Sequence, residues 1–276
     1  MQKIPIMING LPGNVAQMLA RHALSDNRFS LVPFSLTGPE ISDSVYESNG
    51  AAFKLIRPQE RDSAVEGIKA EFGEFIAVDF THPSAVEDNT RFYCNHDIFF
   101  VMGTTGGDRL LLAKLVEQSN ISAVIAPNMA KQIVGFQAMV AHAAEQFPGL
   151  FTGYSLEINE SHQSAKADTS GTAKAVAGYF NKMGIDFSED RITKIRDINV
   201  QQKELGVPKA YLNGHAWHTY TLVSPDKSVL FKFTHNINGR DIYADGTLDA
   251  TGFLHKKIGQ NVHGHVYSMI DVLKGS

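Results

Sequence analysis

Up to about residue 126 the chain alternates between short apolar runs and amphipathic stretches. Lys3–Asn9 carries isoleucines at 4, 6 and 8, the period-two pattern of a strand. Val15–Leu24 follows with helical spacing, and Phe29–Leu36 reads as a second strand. Arg61–Phe72, Ser84–Asn95 and Asp108–Ser119 read as helices, separated by strands at Phe75–Phe80, Asp97–Met102 and Ile121–Ala126. "DIFFVMG" and "ISAVIA" are almost unbroken apolar runs, as expected of strands buried on both faces. Strands alternating with helices of this length predict βαβ units and a parallel sheet.

After residue 127 the rhythm changes. A long helix (Ala130–Glu145) leads to a strand (Gly153–Glu160) and a second helix (Gly171–Met183). Three segments then alternate with period two: "RITKIRDINV", "AWHTYTLVS" and "SVLFKFTHN". They predict a mixed, mainly antiparallel sheet covered by helices. The fold class is therefore α/β: an N-terminal Rossmann-like parallel-sheet domain (1–128) and a C-terminal α+β domain (129–240). The tail (241–276), helical in its first half, is expected to return to the first domain.

Composition narrows the possible functions. The 276 residues are 43% hydrophobic and 20% charged, and the net charge is −4. No basic excess draws in nucleic acid, and no apolar run approaches the roughly 20 residues of a membrane span. The N-terminus continues straight into a strand–turn pattern and reads as folded protein, not as a signal peptide. The single cysteine, Cys94, excludes an intrachain disulfide and a cysteine-based zinc site. A cytoplasmic setting fits, as does a plastid stroma after removal of a transit segment. His263 and His265 stand at i, i+2 without a third ligand, so no metal is expected.

The turn after the first strand, Gly10-Leu11-Pro12-Gly13-Asn14-Val15-Ala16, occupies the place where a dinucleotide pyrophosphate meets a helix N-terminus. Gly10 permits a tight turn, Gly13 permits close backbone approach, and Ala16 permits tight helix–strand packing. Pro12 replaces the middle glycine of the fingerprint and removes one N–H donor. A plain βα connection is the other reading of the turn. About 20 residues on, where an acidic residue would bind a ribose hydroxyl, Ser35 and Thr37 are neutral and the first acid is Glu40. A 2′-phosphate is tolerated there, which tilts the reading towards NADPH over NADH. "VDFTHPS" (Val78–Ser84) and "VMGTTGG" (Val101–Gly107) end two buried strands. In the second of these, Gly103, Thr104 and Thr105 offer small size, N–H groups and hydroxyls beside a nicotinamide.

The stretch "ESHQSAKADTSGTAKAV" (160–176) concentrates ionisable groups just before a helix. Ser170 reads as the N-cap of a helix starting at Gly171-Thr172, whose free N–H groups and dipole favour an anion. Lys166 adds positive charge, His162 has an ordinary pKa near neutrality and could hand over a proton, and Asp168 could orient the loop. A capped helix after a polar loop is the alternative.

This stretch resembles the signature of the 4-hydroxy-tetrahydrodipicolinate reductases (dihydrodipicolinate reductases) of lysine biosynthesis. "DFTHP", "GTTG", "APNMA" and "FTHNINGR" match the same family in order, over nearly the whole chain. The resemblance implies reduction of a cyclic unsaturated dicarboxylate with NADPH or NADH, usually by a homotetramer. It makes His162 the general acid, with Lys166, Ser170, Gly171 and Thr172 holding a substrate carboxylate. Gly103, Thr105 and Asn128 line the nicotinamide side, and the matching loops extend the candidate cofactor contacts to Phe80, Thr81, Pro127 and Met129. Gln163 stands where many bacterial members have a second histidine, and Thr169 precedes Ser170 in a loop one residue shorter. With Pro12, these departures resemble the plant-type branch.

"FTHNINGR" also contains Asn238-Gly239, a turn pair, so it reads either as a connection or as a source of substrate contacts from His235 and Arg240. His218 reads as a core histidine. The competing functional readings are a relative of the same fold acting on another imine or dicarboxylate, and a catalytically silent assembly protein. The second predicts loss of His162 or Lys166, and both are present.

Overall fold

A computed structural model describes residues 2–275. In chain order it has β1 (Ile4–Asn9), α1 (Asn14–Ser25), β2 (Phe29–Leu31), β3 (Phe34–Leu36), β4 (Val45–Ser48), β5 (Ala51–Ile56), α2 (Arg61–Phe72) and β6 (Ile76–Asp79). There follow α3 (Val86–Asn95), β7 (Phe100–Met102), α4 (Arg109–Glu117) and β8 (Ala123–Ile125). Next come α5 (Lys131–Gln146), β9 (Ser155–His162), α6 (Gly171–Lys182), β10 (Thr193–Ile195), α7 (Ile198–Lys203), β11 (His215–Val223) and β12 (Leu230–Asn238). The chain closes with α8 (Asp241–Gly259), β13 (Val266–Tyr267) and α9 (Met269–Lys274).

Two compact units result. The first runs up to Lys131 and resumes at Asp241; the second spans Gln132–Arg240. The first unit is built on a parallel sheet in the order β13-β8-β7-β6-β1-β2. Ile6, Ile8, Val78, Phe100 and Val101 are wholly buried in it, which is why these strands read as continuous apolar runs. Strand order reverses between β1 and β6, the switch point where open α/β sheets place ligands. α8 packs against α1 and β7.

Two expectations change here. Phe29–Leu36 is two strands in two sheets. Pro33 has no N–H to extend the ladder, so pairing with β1 ends at Leu31, and β3 joins β5 and β4 in a separate three-stranded sheet. "RITKIRDINV" is not one strand either. Only β10 is extended; the Asp197 carboxylate accepts from Asn199 N (2.7 Å) and Val200 N (3.1 Å) and so starts α7.

In the second unit a four-stranded sheet runs β10-β9-β11-β12, parallel at β10–β9 and antiparallel elsewhere. Its covered face buries Leu156, Ile158, Tyr220 and Leu222 against Val176, Ala177 and Phe180 of α6. Among the described residues no helix is long and apolar enough to cross a membrane.

Candidate active site

The first unit gathers the glycine turn and the strand-end loops at the switch point. Gly10 has φ +106°, and a Cβ there would stand 2.2 Å from the carbonyl oxygen of Phe80, so only glycine lets the loops after β1 and β6 touch. Gly103 is equally constrained: a Cβ would stand 2.1 Å from the Phe80 ring. α1 starts behind Gly13 with no side-chain cap and no acidic residue in its first turn, which leaves its N-terminal dipole uncompensated. Gly13, Asn14, Thr105 and Pro127 are exposed, while Val15 and Asn128 are half-buried.

Beneath these loops lies a buried polar network. The fully buried Asp79 carboxylate accepts from Thr104 Oγ1 (2.7 Å), Thr81 Oγ1 (2.9 Å), Asn89 Nδ2 (2.9 Å) and the Tyr93 hydroxyl (2.8 Å). Asn9 Nδ2 donates to the same hydroxyl at 2.9 Å. Burial and the adjacent Asp79 charge push the Tyr93 phenol well above its ordinary range. Thr104 is therefore a buttress, and Thr81 has its own hydroxyl committed. Ser35, wholly buried in β3, accepts from Leu11 N at 3.2 Å, and Thr37 Oγ1 donates to Leu11 O at 2.7 Å. Both hydroxyls brace the glycine turn from below, a correction to their expected place beside a ribose. Met129 is likewise a core residue, 2% exposed.

In the second unit His162 ends β9 and is buried. Ser170 precedes α6 but does not cap it: no side-chain cap bond is present. Its backbone N–H instead donates to Glu160 Oε2 at 2.8 Å. The other Glu160 oxygen, Oε1, accepts from Arg196 Nη2 at 2.6 Å, and Glu160 is fully buried. Arg196 Nε donates to Lys166 O at 2.8 Å. Thus one buried ion pair fixes both ends of the loop between His162 and α6. Lys166 pairs with the exposed carboxylate of Asp168 at 2.8 Å, and this hydrogen bond is the main reason the Asp168 pKa is lowered. Gly171 and Thr172 keep accessible backbone at the helix start, with open space around Gly171.

His235 lies on the same sheet face, its ring stacked on His218 at 4.6 Å and its Nε2 3.3 Å from the Tyr220 hydroxyl. Arg240 is exposed at the end of the unit. The structure thus brings His162, Lys166, Ser170 and His235 into one cluster and leaves Arg240 outside it. Sequence reasoning missed Glu160, Arg196 and His218 as members, although Glu160 opens the quoted stretch. Glu160, His162 and His218 each offer an atom within 4.8 Å of the others, a grouping not expected when no metal was assigned.

Burial is the largest cause lowering His162 to about 4, His218 to about 2 and His235 to about 4, from an ordinary 6.5. Depressed histidines stay neutral in the folded state while the unfolded chain binds protons. Stability from these groups is thus complete above pH 6.5 and lost as pH falls towards 4. Thermal denaturation from pH 7.5 down to pH 4.5 (about three units, chosen to span this window) should show Tm falling, with net proton uptake on unfolding. A Tm that rises or stays flat over this window would contradict the burial of neutral rings.

A Rossmann-like unit followed by an α+β unit that holds a buried histidine beside a helix N-terminus is the build of a pyridine-nucleotide-dependent reductase. Comparison with known proteins makes the class specific. Residues 4–129 match the family described as dihydrodipicolinate reductase, N-terminus, and residues 133–273 match its C-terminus. The chain belongs to the dihydrodipicolinate reductase family, an oxidoreductase family. It is 46% identical to the probable chloroplastic 4-hydroxy-tetrahydrodipicolinate reductase 1 of Oryza sativa subsp. japonica, over 98% of this chain and 78% of the relative. It is also 46% identical to the chloroplastic reductase 2 of Arabidopsis thaliana, over 98% of this chain and 77% of that one. The plant-type resemblance read from the loop around His162 therefore holds. Among solved structures, the dipicolinate-bound dihydrodipicolinate reductase from Paenisporosarcina sp. TG-14 superposes with a TM-score of 0.67. At 19% identity over 97% of this chain and 98% of that one, it establishes the shared fold.

Proposed function

We propose that this protein reduces 4-hydroxy-tetrahydrodipicolinate, or the dihydrodipicolinate derived from it, to tetrahydrodipicolinate in the diaminopimelate route to lysine. A bound nicotinamide would supply the hydride, and His162 the proton. The single observation that carries the mechanism is the junction of β9 and α6. There a buried histidine, a half-buried lysine and the accessible N-terminus of a helix converge within one loop. Hydride transfer to the ring leaves negative charge that a positioned acid quenches. The N–H groups of Gly171 and Thr172, with Lys166, suit a carboxylate and hold the ring in one orientation.

The residues of the first unit fit a dinucleotide. Gly10, Gly13, Asn14 and Val15 would hold the pyrophosphate, and Phe80, Gly103, Thr105 and Asn128 the nicotinamide side. No acidic residue is encoded between 35 and 38, which favours NADPH over NADH, although the Glu40 carboxylate folds back against Gly38. The chloroplastic names of the plant relatives favour a plastid stroma. Self-association into a homotetramer is supported by β12, an edge strand whose Leu230 is 62% and Phe231 42% exposed. Bare edges of this kind need a covering partner.

The test is a coupled reaction: a dihydrodipicolinate synthase supplied with pyruvate and aspartate semialdehyde, with oxidation of NADPH and NADH followed separately. Rapid oxidation, faster with NADPH, is expected. Folded protein that binds nucleotide but oxidises neither would sink the reading.

A further inference from the structure

His218 has no place in the reaction described so far, yet its setting is costly. It is 3% exposed, and neither of its ring nitrogens has a hydrogen-bond partner. The buried Nε2 of His162 has none either. These two rings stand 5.1 Å apart edge-to-face, and the buried Nδ1 of His235, stacked on His218, and Oε1 of Gln201 in the same unit also lack partners. Buried polar groups left unpaired each cost on the order of 1–3 kcal/mol, so a purely structural role would favour leucine or phenylalanine at 218. The register explains the meeting. His218 pairs across β11 with Glu160 on one side and His235 on the other, while His162 lies two residues beyond Glu160 on the same face. The apolar row Ile158–Tyr220–Phe233 thus gives way, one step along the sheet, to Glu160–His218–His235.

One atom each from Glu160, His162 and His218 lie within 4.8 Å of one another, and His218 Nε2 is 4.0 Å from Glu160 Oε2. Three points so spaced share a centre at most about 2.8 Å from each, the length of a hydrogen bond to water. A cation at that centre would stand close to the Arg196 guanidinium, which pairs with Glu160 Oε1 at 2.6 Å, so a neutral water suits the group better than a metal ion. Both remaining Glu160 contacts, Arg196 and the Ser170 N–H, are donors, leaving the carboxylate further lone pairs for another donor.

We propose that His218 is a positioning residue: with Glu160 it holds one buried water against Nε2 of His162, and so fixes the tautomer and ring orientation of the acid. Which nitrogen of an imidazole carries the proton is set by the hydrogen bond made by the other. Glu160 favours the charged ring, while Arg196, Lys166 and His215 oppose it, and His218 supplies a neutral, polarisable contact among them. On the far side of His218 stand His235 of β12 and the Tyr220 hydroxyl, and Phe136 of α5 closes the cluster with an apolar ring. This inference rests on His162 being the acid, and its test separates the two.

The variants are His218→Leu, which removes both nitrogens, and His218→Asn, which keeps a polar end. In His218→Leu, kcat should fall roughly tenfold, the scale of one lost orienting hydrogen bond. KM for the dicarboxylate should move by less than about twofold, because the carboxylate site is untouched. Its Tm should be unchanged or higher, and His218→Asn should recover part of the loss in kcat. Nitrogen-15 NMR of the His162 ring should show one dominant tautomer in the wild type and a mixture in His218→Leu. An unchanged tautomer in folded His218→Leu overturns the proposal, whatever happens to kcat. A changed tautomer with unchanged kcat upholds the positioning role and instead removes His162 as the acid, which His162→Ala would show independently.

Discussion

Replacing His162 by alanine should lower kcat about a hundredfold or more, the usual scale for a lost general acid, while KM for the dicarboxylate changes little. The geometry separates the two parameters: the proposed anion site consists of Lys166 and the backbone at Gly171–Thr172, and the adjoining Ser170 N–H is held by Glu160, not by His162. The pH profile sharpens the expectation. Burial holds the His162 ring at about 4 in the free protein, so its acid form is scarce at neutral pH. A bound dicarboxylate places negative charge beside the ring and favours the charged form. An acid works only below its pKa. The descending limb of kcat/KM, which reports the free protein, should therefore lie at lower pH than that of kcat, which reports the complex. His162→Ala should lose this limb from both profiles. Steady-state kinetics with NADPH from pH 5 to 9 (about four units) decides the matter: kcat should show its limb within the range, while kcat/KM falls with rising pH throughout, its own limb lying at about 4. A variant retaining wild-type kcat and the same limb would move the acid elsewhere.

The legible and the illegible parts of this chain differ in kind. β1, β6, β7 and β8 were legible because parallel strands buried on both faces must be apolar throughout, and the intervening helices carry the other period. The second β-segment was misread because Val32–Phe34 looks continuous by pattern, while Pro33 ends the ladder. β4 and β5 were not found at all: Val45–Ser48 is largely exposed, and a short strand of mixed polarity carries little periodic signal. His162, Lys166 and the start of α6 could be read because their chemistry is local, within ten residues. Glu160 and Arg196 could not, because their meaning lies in a contact across 36 positions that only the parallel pairing of β10 with β9 creates. Ser170 shows the same limit. Its type suggested a side-chain cap, but its hydroxyl makes no cap bond, and its backbone N–H is held by a buried carboxylate ten residues earlier. The neutral Ser35 and Thr37 were read as facing a ribose, whereas their hydroxyls are spent on the backbone of Leu11.

The same buried pair yields the largest expected loss of stability. Arg196→Ala removes the only cation hydrogen-bonded to Glu160 among the described residues, and Glu160 is wholly buried. Breaking a buried ion pair from one side costs about 3–5 kcal/mol, because the remaining charge is stranded. Against a typical total of 5–15 kcal/mol, that should lower Tm by roughly 10 °C or more. The loop suffers as well, since Arg196 Nε also donates to Lys166 O at 2.8 Å. Lys166 would lose its fixed backbone, and the KM for the dicarboxylate should rise several-fold in whatever folded fraction remains. Arg196→Lys keeps the charge but not the planar fork that serves the Glu160 carboxylate and four backbone carbonyls (Glu160, Lys166, Asp168 and Ile195) at once, so it should recover only part of either loss. The decisive comparison is the double variant Glu160→Leu/Arg196→Leu. Both variants lose the Arg196 bonds to backbone carbonyls; beyond that, removing both charges spares the stranding penalty and adds only the Ser170 N–H in want of an acceptor, so the double variant should be more stable than Arg196→Ala despite carrying one change more. Calorimetry on the three variants reads this ordering directly. A double variant less stable than Arg196→Ala would mean that the pair is held for its attraction rather than for mutual neutralisation.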